Sequence, residues 1–374
     1  MSVLRRSCCP EVKEVAECPG IVRSTLPLED PTRVVSRGKP VCSVANSVSG
    51  VSSAPFSRLA RKALFAPRSA RVNGKPPPMT ILDKVPTVSD SHIMTLADGR
   101  DLGWLELGAA DGWPVFGFHG TPGSRLQLTF DEDAVRRAGV RLVALDRPGY
   151  GLSTYQPARR LTDWPQDVAE LADHLGVDRF SVMGISGGGP HAAVCAAMLG
   201  ERVASAGIVS GVGPMTNPES SDGMTRSNRL LVSLAHRHSK ILSAIFEVQA
   251  HFAKNWPGKA LDLVIKELPP ADADILRRPD VRAIFERDVR RSSRTTGRAQ
   301  AQDFVLFASE WGFDLTSIRV PVVLWQGDAD RNVPLHHAQV MHDAISNSVL
   351  HTFAGEGHFL VINRLEEILV GLSA

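Results

Sequence analysis

A serine in a glycine-rich turn is the first pattern in this sequence that could do chemistry. Residues 180–198 read FSVMGISGGGPHAAVCAAM, which is an apolar run, then Ser186 among glycines, then an alanine-rich stretch. Gly184, Ser186 and Gly188 fit G-x-S-x-G at a strand-to-helix turn, where a nucleophile projects from a strained backbone. Glycines on both sides relieve the crowding that a Cβ would create. The pattern predicts that Ser186 is a nucleophile.

Two later segments offer the base and the carboxylate that a serine nucleophile requires. A base must take the hydroxyl proton, and a carboxylate must orient that base. Both are expected after later strands, in the order Ser, acid, His. The run VVLWQGDADRNVP offers Asp328 and Asp330, and FAGEGHF offers His358 in a glycine-flanked loop. The pattern predicts His358 as the base and leaves the acid open between the two aspartates.

The other histidines near the C-terminus have ordinary structural interpretations. His336, His337 and His342 fall on a predicted surface helix, and their spacing matches no metal-ligand motif. His351 falls inside an alternating strand, where a packed or exposed histidine is common. There is also no P-loop and no G-x-G-x-x-G opening a first βα unit. We therefore predict no metal and no cofactor.

The elements that must position these residues follow a regular alternation. Residues 92–107 form two alternating runs joined through Asp98 and Gly99, which predicts a hairpin. Helices are predicted at 161–176, 334–347 and 359–372. Further apolar, strand-like runs lie at 114–120, 141–149, 179–186, 203–211, 320–327 and 348–355. Apolar strands with helices between them predict an α/β fold with a mainly parallel, doubly wound sheet.

Residues 214–315 interrupt this alternation. They hold no convincing strand and show helical periodicity instead, for example at 228–252. We predict a core formed by residues 90–213 and 316–374, with residues 214–315 as a helical cap inserted between strands. The substrate pocket is then expected between this cap and the sheet edge.

The first 80 residues differ in charge from the rest of the chain. They carry 13 Lys and Arg residues but only 5 Asp and Glu residues. The whole chain is nearly balanced, with 42 Lys and Arg residues and 40 Asp and Glu residues. We predict that residues 1–80 are a disordered basic tail, or are untranslated because translation begins at Met79. An organelle transit peptide and a basic arm for an acidic partner are the alternatives. The expected location is cytoplasmic, or an organelle if the tail is a transit peptide.

The overall composition argues against several classes of protein. A net charge of +2 does not indicate a nucleic-acid partner. The sequence has no run of 18 or more apolar residues, so no transmembrane helix is predicted. Four of the five cysteines lie within the first 42 residues at spacings that match no zinc or haem motif. Cys195 is the fifth, so no disulfide framework is expected. The sequence leaves the oligomeric state open.

Four loops together resemble those of α/β-hydrolase-fold proteins, in the proline iminopeptidase and epoxide hydrolase branches. HGTPGSR at 119–125 is similar to the HGxPG oxyanion loop, and DRPGYGLS at 146–153 to the D-x-P-G-x-G-x-S loop. GDADRNVP at 327–334 is similar to the acid loop, and GEGHF at 355–359 to the histidine loop. The resemblance covers residues 90–372 nearly from end to end, with the motifs in the family's order.

This resemblance implies a role for individual residues. It selects Asp330 over Asp328 as the acid, and it implies an oxyanion hole made by the backbone N–H groups of Thr121 and Gly187. The residues expected to shape the supporting loops are His119, Gly120, Gly184 and Gly188. Relatives with epoxide hydrolase chemistry carry Asp as the nucleophile, so the serine in this chain argues against that reaction.

The expected function is a serine hydrolase that cleaves an ester or related acyl compound through an acyl-enzyme. Its partner would be a small-molecule acyl substrate with an apolar group. The alternatives are a proline iminopeptidase-like aminopeptidase, a non-catalytic ligand receptor and an acyltransferase. An aminopeptidase would need carboxylates for a free amine, and Glu219, Asp222 and Asp303 are candidates. Asp303 and Glu310 are more simply expected to bond to helix ends, or to form ion pairs, within the helical cap.

Overall fold

The structure is a computed structural model that describes residues 91–292 and 297–373. The tail predicted for residues 1–80 lies outside the described residues. Within the described part, the strands are β1 (Ser91–Thr95), β2 (Asp101–Gly108), β3 (Trp113–Phe118), β4 (Val140–Leu145), β5 (Phe180–Ile185), β6 (Val203–Val209), β7 (Val322–Gly327) and β8 (Ser348–Phe353). The α-helices of the same residues are α1 (Glu132–Arg137), α2 (Trp164–His174), α3 (Gly189–Met198), α4 (Arg226–Arg237), α5 (Ser239–Asn255), α6 (Pro257–Glu267), α7 (Pro270–Arg277), α8 (Pro279–Ser292), α9 (Arg298–Phe307), α10 (His336–Ala344) and α11 (Val361–Leu372).

The eight strands form one sheet in the order β1-β2-β4-β3-β5-β6-β7-β8. The predicted hairpin pairs β1 with β2, so that Ser91 lies opposite Leu105, and β2 also runs antiparallel to β4. The remaining neighbours, from β4 through β8, are parallel. The mainly parallel sheet predicted from the alternation of apolar strands and helices is confirmed.

Helices cover both faces of this sheet. Successive side chains of each strand point to opposite sides, so an apolar strand presents apolar side chains on both faces. Phe116 and Phe118 of β3 belong to a buried cluster that includes residues of α2, α3 and α10. Val115 of the same strand belongs to a cluster on the other face, with residues of α1 and α11. Each fully buried large apolar side chain contributes about 1.5–3 kcal/mol to folding. The two clusters hold the strand ends, and the loops that follow them, in fixed relative positions.

In the part of the chain that the structure describes, six helices, α4 to α9, lie between β6 and β7 and are called here the helical insertion. The stretch at 228–252 that reads as continuously helical is two helices, because α4 ends at Arg237 and α5 begins at Ser239. The insertion has apolar contacts of its own, among them Leu261, Leu276 and Phe285 from α6, α7 and α8. That it constitutes a separate cap domain stays a prediction. Within residues 91–292 and 297–373, every helix is too short or too polar to cross a membrane.

The prediction that His337 lies on a surface helix is wrong. This side chain is 2% exposed, and its Nδ1 accepts a hydrogen bond from the backbone N–H of Gly213 at 3.1 Å. Burial lowers its pKa to about 4, so the ring is neutral at ordinary pH. The error arose because α10 turns one side toward the segment after β6, a long-range contact with no local sequence signal.

Candidate active site

Ser186 stands at the sharp turn between β5 and α3. Its φ of +54° lies in the left-handed region, which a non-glycine residue adopts only under local strain. A Cβ on Gly184 would clash with the carbonyl oxygen of Gly188, and one on Gly188 would clash with that of Phe118. The two glycines therefore allow the chain to turn tightly enough to project the serine side chain.

The structure brings Ser186, His358 and Asp330 together, although they follow three different strands. The Ser186 hydroxyl lies 3.0 Å from Nε2 of His358, and Nδ1 of the same ring lies 2.8 Å from Oδ2 of Asp330. The chain of two hydrogen bonds fixes one ring arrangement, with Nδ1–H donating to the carboxylate and Nε2 accepting from the hydroxyl. His358 and Asp330 are both buried. This arrangement can transfer the hydroxyl proton to the imidazole.

Asp330 is held by three further donors. Its Oδ1 accepts from the backbone N–H groups of Asn332 and Val333 at 2.8 and 2.9 Å. Its Oδ2 accepts from the side-chain amide of Gln326 at 3.0 Å. The sequence reasoning missed Gln326, although a glutamine at the end of an otherwise apolar strand is itself a sign of a buried polar partner. These bonds lock the carboxylate toward the imidazole.

Asp328, the other candidate acid, lies elsewhere. It is exposed, and its Oδ1 accepts a hydrogen bond from the backbone N–H of Gly355 at 2.7 Å. This bond joins the loop after β7 to the loop after β8. Asp328 therefore stabilises the two loops, while Asp330 is the residue that contacts the histidine.

The carboxylates around His358 control its pKa. Burial alone would lower the pKa of the ring, because it disfavours the charged form. The charge of Asp330, its hydrogen bond and the charge of Asp272 outweigh burial and raise the pKa above the ordinary value of 6.5. The ring is thus a stronger base than a free histidine.

The loop after β3 approaches the serine from the other side. The backbone N–H of Gly120 donates to Oε1 of Gln127 at 2.6 Å, so this N–H is already bonded. A Cβ on Gly187 would clash with Oγ1 of Thr121, which shows that these two residues are adjacent. That the backbone N–H groups of Thr121 and Gly187 form an oxyanion hole beside Ser186 stays a prediction.

His119 lies at the base of this loop with no exposed surface. Its Nδ1–H donates to the carbonyl of Gly120 at 2.8 Å, and its Nε2 accepts from the backbone N–H of Arg147 at 3.0 Å. Burial and the charge of Arg147 hold its pKa well below the ordinary value. The ring is neutral and both of its nitrogens are hydrogen-bonded within the protein, so neither nitrogen is available to accept a proton from a bound molecule.

A buried carboxylate from the helical insertion also reaches this loop. Asp303 of α9 accepts hydrogen bonds from Thr121 Oγ1 at 2.7 Å, Arg147 Nη1 at 2.6 Å and Tyr150 OH at 2.8 Å, and forms an ion pair with Arg159. Burial would raise its pKa, but the two guanidinium groups outweigh burial and hold the pKa well below the ordinary value. Asp303 is therefore an anion at all ordinary pH values.

The expected partners of Asp303 require a correction. Its ion pairs were predicted to lie among the helices of the insertion, but they join α9 to residues 147 and 159 of the loops that follow β4. The reason is that α9 lies against those loops, a contact between residues more than 140 positions apart. Glu310 is exposed, and among residues 91–292 and 297–373 its side chain forms neither the predicted cap nor an ion pair.

A cavity of about 480 Å³ opens beside Ser186 and His358. Its walls are mainly apolar and come from both the sheet end and the insertion. Side chains of the insertion that line it include Leu231, Phe246, Ala250, Leu261, Phe285 and Phe304. A cavity of this size and character can enclose an apolar group of a small molecule next to the serine.

The carboxylates near this cavity differ from those proposed for amine binding. Glu219 and Asp222 are exposed and do not line it, and Asp303 is neutralised by arginines. Asp288 and Glu267 do line the cavity. Burial raises the pKa of Asp288 to about 7, and its carboxylate accepts from Ser124 Oγ at 2.5 Å.

The sequence model of one protein family, described as the alpha/beta hydrolase fold, matches residues 114–365. This match spans more than half of the 374 residues. The chain belongs to the alpha/beta hydrolase fold family. The family resemblance stated from four loop motifs is therefore confirmed. Each motif lies on a loop of this alpha/beta hydrolase that reaches the site around Ser186 or supports it.

Three curated relatives match parts of this alpha/beta hydrolase. A dihydrolipoyllysine-residue acetyltransferase component of the acetoin cleaving system of Pseudomonas putida is 34% identical over 116 residues, 31% of each chain. A probable proline iminopeptidase of Streptomyces coelicolor is 32% identical over 26% of this chain and 33% of its own. A bifunctional esterase/perhydrolase of Acinetobacter calcoaceticus is 33% identical over 36% of this chain and 50% of its own. The chain thus spans between 31% and 50% of the length of these relatives.

Solved structures agree on the fold. A hydrolase from Pseudomonas aeruginosa PA01 superposes with a TM-score of 0.57 at 19% identity, covering 76% of this chain and 99% of its own. The superposition supports a shared architecture. An identity of 19% gives no information about the substrate of this alpha/beta hydrolase.

Proposed function

We propose that this alpha/beta hydrolase is a serine esterase that cleaves carboxylic esters with an apolar acyl group. The observation that carries the proposal is the pair of hydrogen bonds from Ser186 through His358 to Asp330, at 3.0 and 2.8 Å, beside an apolar cavity. A hydroxyl bonded to an oriented imidazole is the arrangement that activates serine for acyl transfer. The acetyltransferase, iminopeptidase and esterase names of the partial relatives are consistent with chemistry at a carbonyl carbon.

The reaction would proceed in two steps. In the first, His358 takes the proton of Ser186 as its oxygen bonds to the ester carbonyl carbon. The N–H groups of Thr121 and Gly187 bind the oxyanion, and such donors typically contribute about 3–4 kcal/mol each. The imidazolium then protonates the departing alcohol, leaving an acyl-enzyme. In the second step His358 takes a proton from water, the resulting hydroxide attacks the acyl carbon, and Ser186 recovers its proton as the acid is released.

The cavity wall favours an ester over a substrate with a free amine. An ammonium group would need an available carboxylate, yet Asp288 is bonded to Ser124 and has a pKa of about 7. Glu267 is exposed and accepts a hydrogen bond from Ser227. We propose that the insertion acts as the cap that encloses the acyl group, since its apolar side chains form the wall facing Ser186.

A series of p-nitrophenyl esters tests this function. Each buried CH₂ contributes about 0.8 kcal/mol, so kcat/KM is expected to rise about fourfold per added CH₂ from acetate to hexanoate. Proline p-nitroanilide, with its free amine, is the matched comparison and is expected to be hydrolysed at least a hundredfold more slowly. Faster hydrolysis of the anilide than of the esters would indicate an aminopeptidase and contradict the esterase proposal. Tight binding of esters without turnover would indicate a ligand receptor.

The pH dependence of ester hydrolysis follows from the pKa of His358. The ring must be neutral to act as a base, and its pKa is raised above 6.5. We therefore expect kcat/KM to fall tenfold per pH unit on the acid side, with a midpoint above pH 6.5. The measurement is kcat/KM for p-nitrophenyl butyrate between pH 5 and 9. A flat profile down to pH 5 would contradict a histidine base with this environment.

A further inference from the structure

A second carboxylate, Asp272, contacts the histidine loop from the helical insertion. It lies in the first turn of α7 and has no exposed surface. Its Oδ1 accepts a hydrogen bond from the backbone N–H of Phe359 at 2.9 Å. Phe359 directly follows His358, so the insertion holds the backbone of the loop that carries the imidazole.

The loop is shaped to receive this carboxylate. A Cβ on Gly357 would clash with Oδ2 and Oδ1 of Asp272, so only glycine permits the approach at this position. The need for glycine at position 357 is thus explained by the nearby Asp272 carboxylate, which the sequence motif alone does not show.

The second oxygen of Asp272 is an energetic anomaly. Oδ2 is buried and has no hydrogen-bond partner among the described residues. An unsatisfied buried polar atom typically costs about 1–3 kcal/mol, and more when it is charged. Such a cost persists in a folded protein when the group serves a purpose other than stability. A nearby group that becomes positively charged during the reaction would offset it.

We propose that Asp272 is a positioning residue that fixes the His358 loop and stabilises the protonated imidazole, together with Asp330. The inference rests on the proposed function, in which His358 is protonated in both steps. The carboxylate of Asp330 bonds to the ring directly, whereas Asp272 acts from the backbone side of the loop. Asp330 comes from the loop after β7 and Asp272 from the insertion, so the packing of the insertion against the histidine loop places a second carboxylate near His358.

The charges on both residues are consistent with this role. The charged groups that act on His358 are Asp330, after β7, and Asp272, on α7, and both raise its pKa. Burial, together with the charge of Asp330, raises the pKa of Asp272 above its ordinary value. The positive charge of His358 and the backbone N–H groups of Phe359 and His358 act in the opposite direction and favour the carboxylate. The histidine and Asp272 therefore stabilise each other's charged form.

The test compares Asp272→Asn with Asp274→Asn. The first keeps an oxygen that can accept from Phe359 but removes the charge; the second removes an exposed charge from the same helix, where Asp274 pairs with Arg277. The pKa of His358 is measured by NMR titration of its imidazole, assigned by its absence in His358→Gln. We expect Asp272→Asn to lower that pKa by about one unit, and Asp274→Asn to leave it unchanged.

Hydrolysis should report the same change. The acid-side midpoint of kcat/KM is expected to move down by about one pH unit in Asp272→Asn, with a plateau about tenfold lower. If Asp272→Asn does not fold, Asp272→Ser, which is also uncharged and can accept a hydrogen bond, is measured in the same way. An unchanged His358 pKa in a folded variant would show that Asp272 only anchors the helix and would overturn the inference. Because the NMR titration needs no turnover, this failure is distinguishable from absence of esterase activity.

Discussion

Replacing Ser186 by Ala is expected to lower kcat/KM for p-nitrophenyl butyrate by about 10⁵–10⁶-fold. The methyl group has no oxygen to bond to the carbonyl carbon, so the acyl-enzyme cannot form, and residual turnover would come only from binding and the oxyanion donors. Folding should be unaffected, because alanine occupies less space than serine in the same turn. The measurement is steady-state hydrolysis with purified protein, accompanied by thermal unfolding.

Ser210 provides a matched control for this variant. It directly follows the neighbouring strand β6, is buried, and has a φ of +47°, close to that of Ser186. Its Oγ has no hydrogen-bond partner among the described residues, so it is not bonded to His358. Ser210→Ala should therefore keep activity within about twofold of the unmodified enzyme. Activity above about 1% in Ser186→Ala would sink the assignment of the nucleophile.

Asp303→Asn is expected to destabilise the protein by about 3–5 kcal/mol. The substitution keeps the shape of the side chain but leaves the guanidinium groups of Arg147 and Arg159 buried without their counter-charge. It would also weaken the bond that holds Thr121, so a loss of kcat beyond the loss of stability is expected. Urea unfolding followed by tryptophan fluorescence measures the change in the free energy of unfolding.

An exposed acid seven residues away is the control for Asp303. Glu310 follows α9 and faces solvent, so Glu310→Gln should change the free energy of unfolding by less than about 0.5 kcal/mol. If the free energy of unfolding of Asp303→Asn is within about 1 kcal/mol of that of the unmodified protein, the buried cluster around Asp303 does not hold the insertion against the core. The position of the loop that carries Thr121 would then depend on other contacts.

The strands and the order of the site loops could be predicted because their signals are local. Apolar runs mark buried parallel strands, and the carboxyl ends of parallel strands meet at one edge of the sheet. Ser186, Asp330 and His358 each follow such a run, so the topology alone brings them near one another. The choice between Asp328 and Asp330 needed either the motif or the coordinates, since both occupy the same turn.

The contacts made by the insertion could not be predicted from the sequence. Asp272 reaches Phe359 across 87 positions, and Asp303 reaches Thr121 across 182. Helical periodicity indicates which face of a helix is buried but gives no information about what it is buried against. His337 shows the same limit, because its helix is amphipathic and its buried partner is in a distant loop.

Mass spectrometry after reaction with a fluorophosphonate probe shows directly whether His358 activates Ser186. We expect one phosphonyl adduct per chain, located on Ser186, formed faster as the pH rises through the pKa of His358 and absent in Ser186→Ala. An adduct on another residue, or labelling at the same rate in His358→Gln, would contradict a serine activated by this histidine.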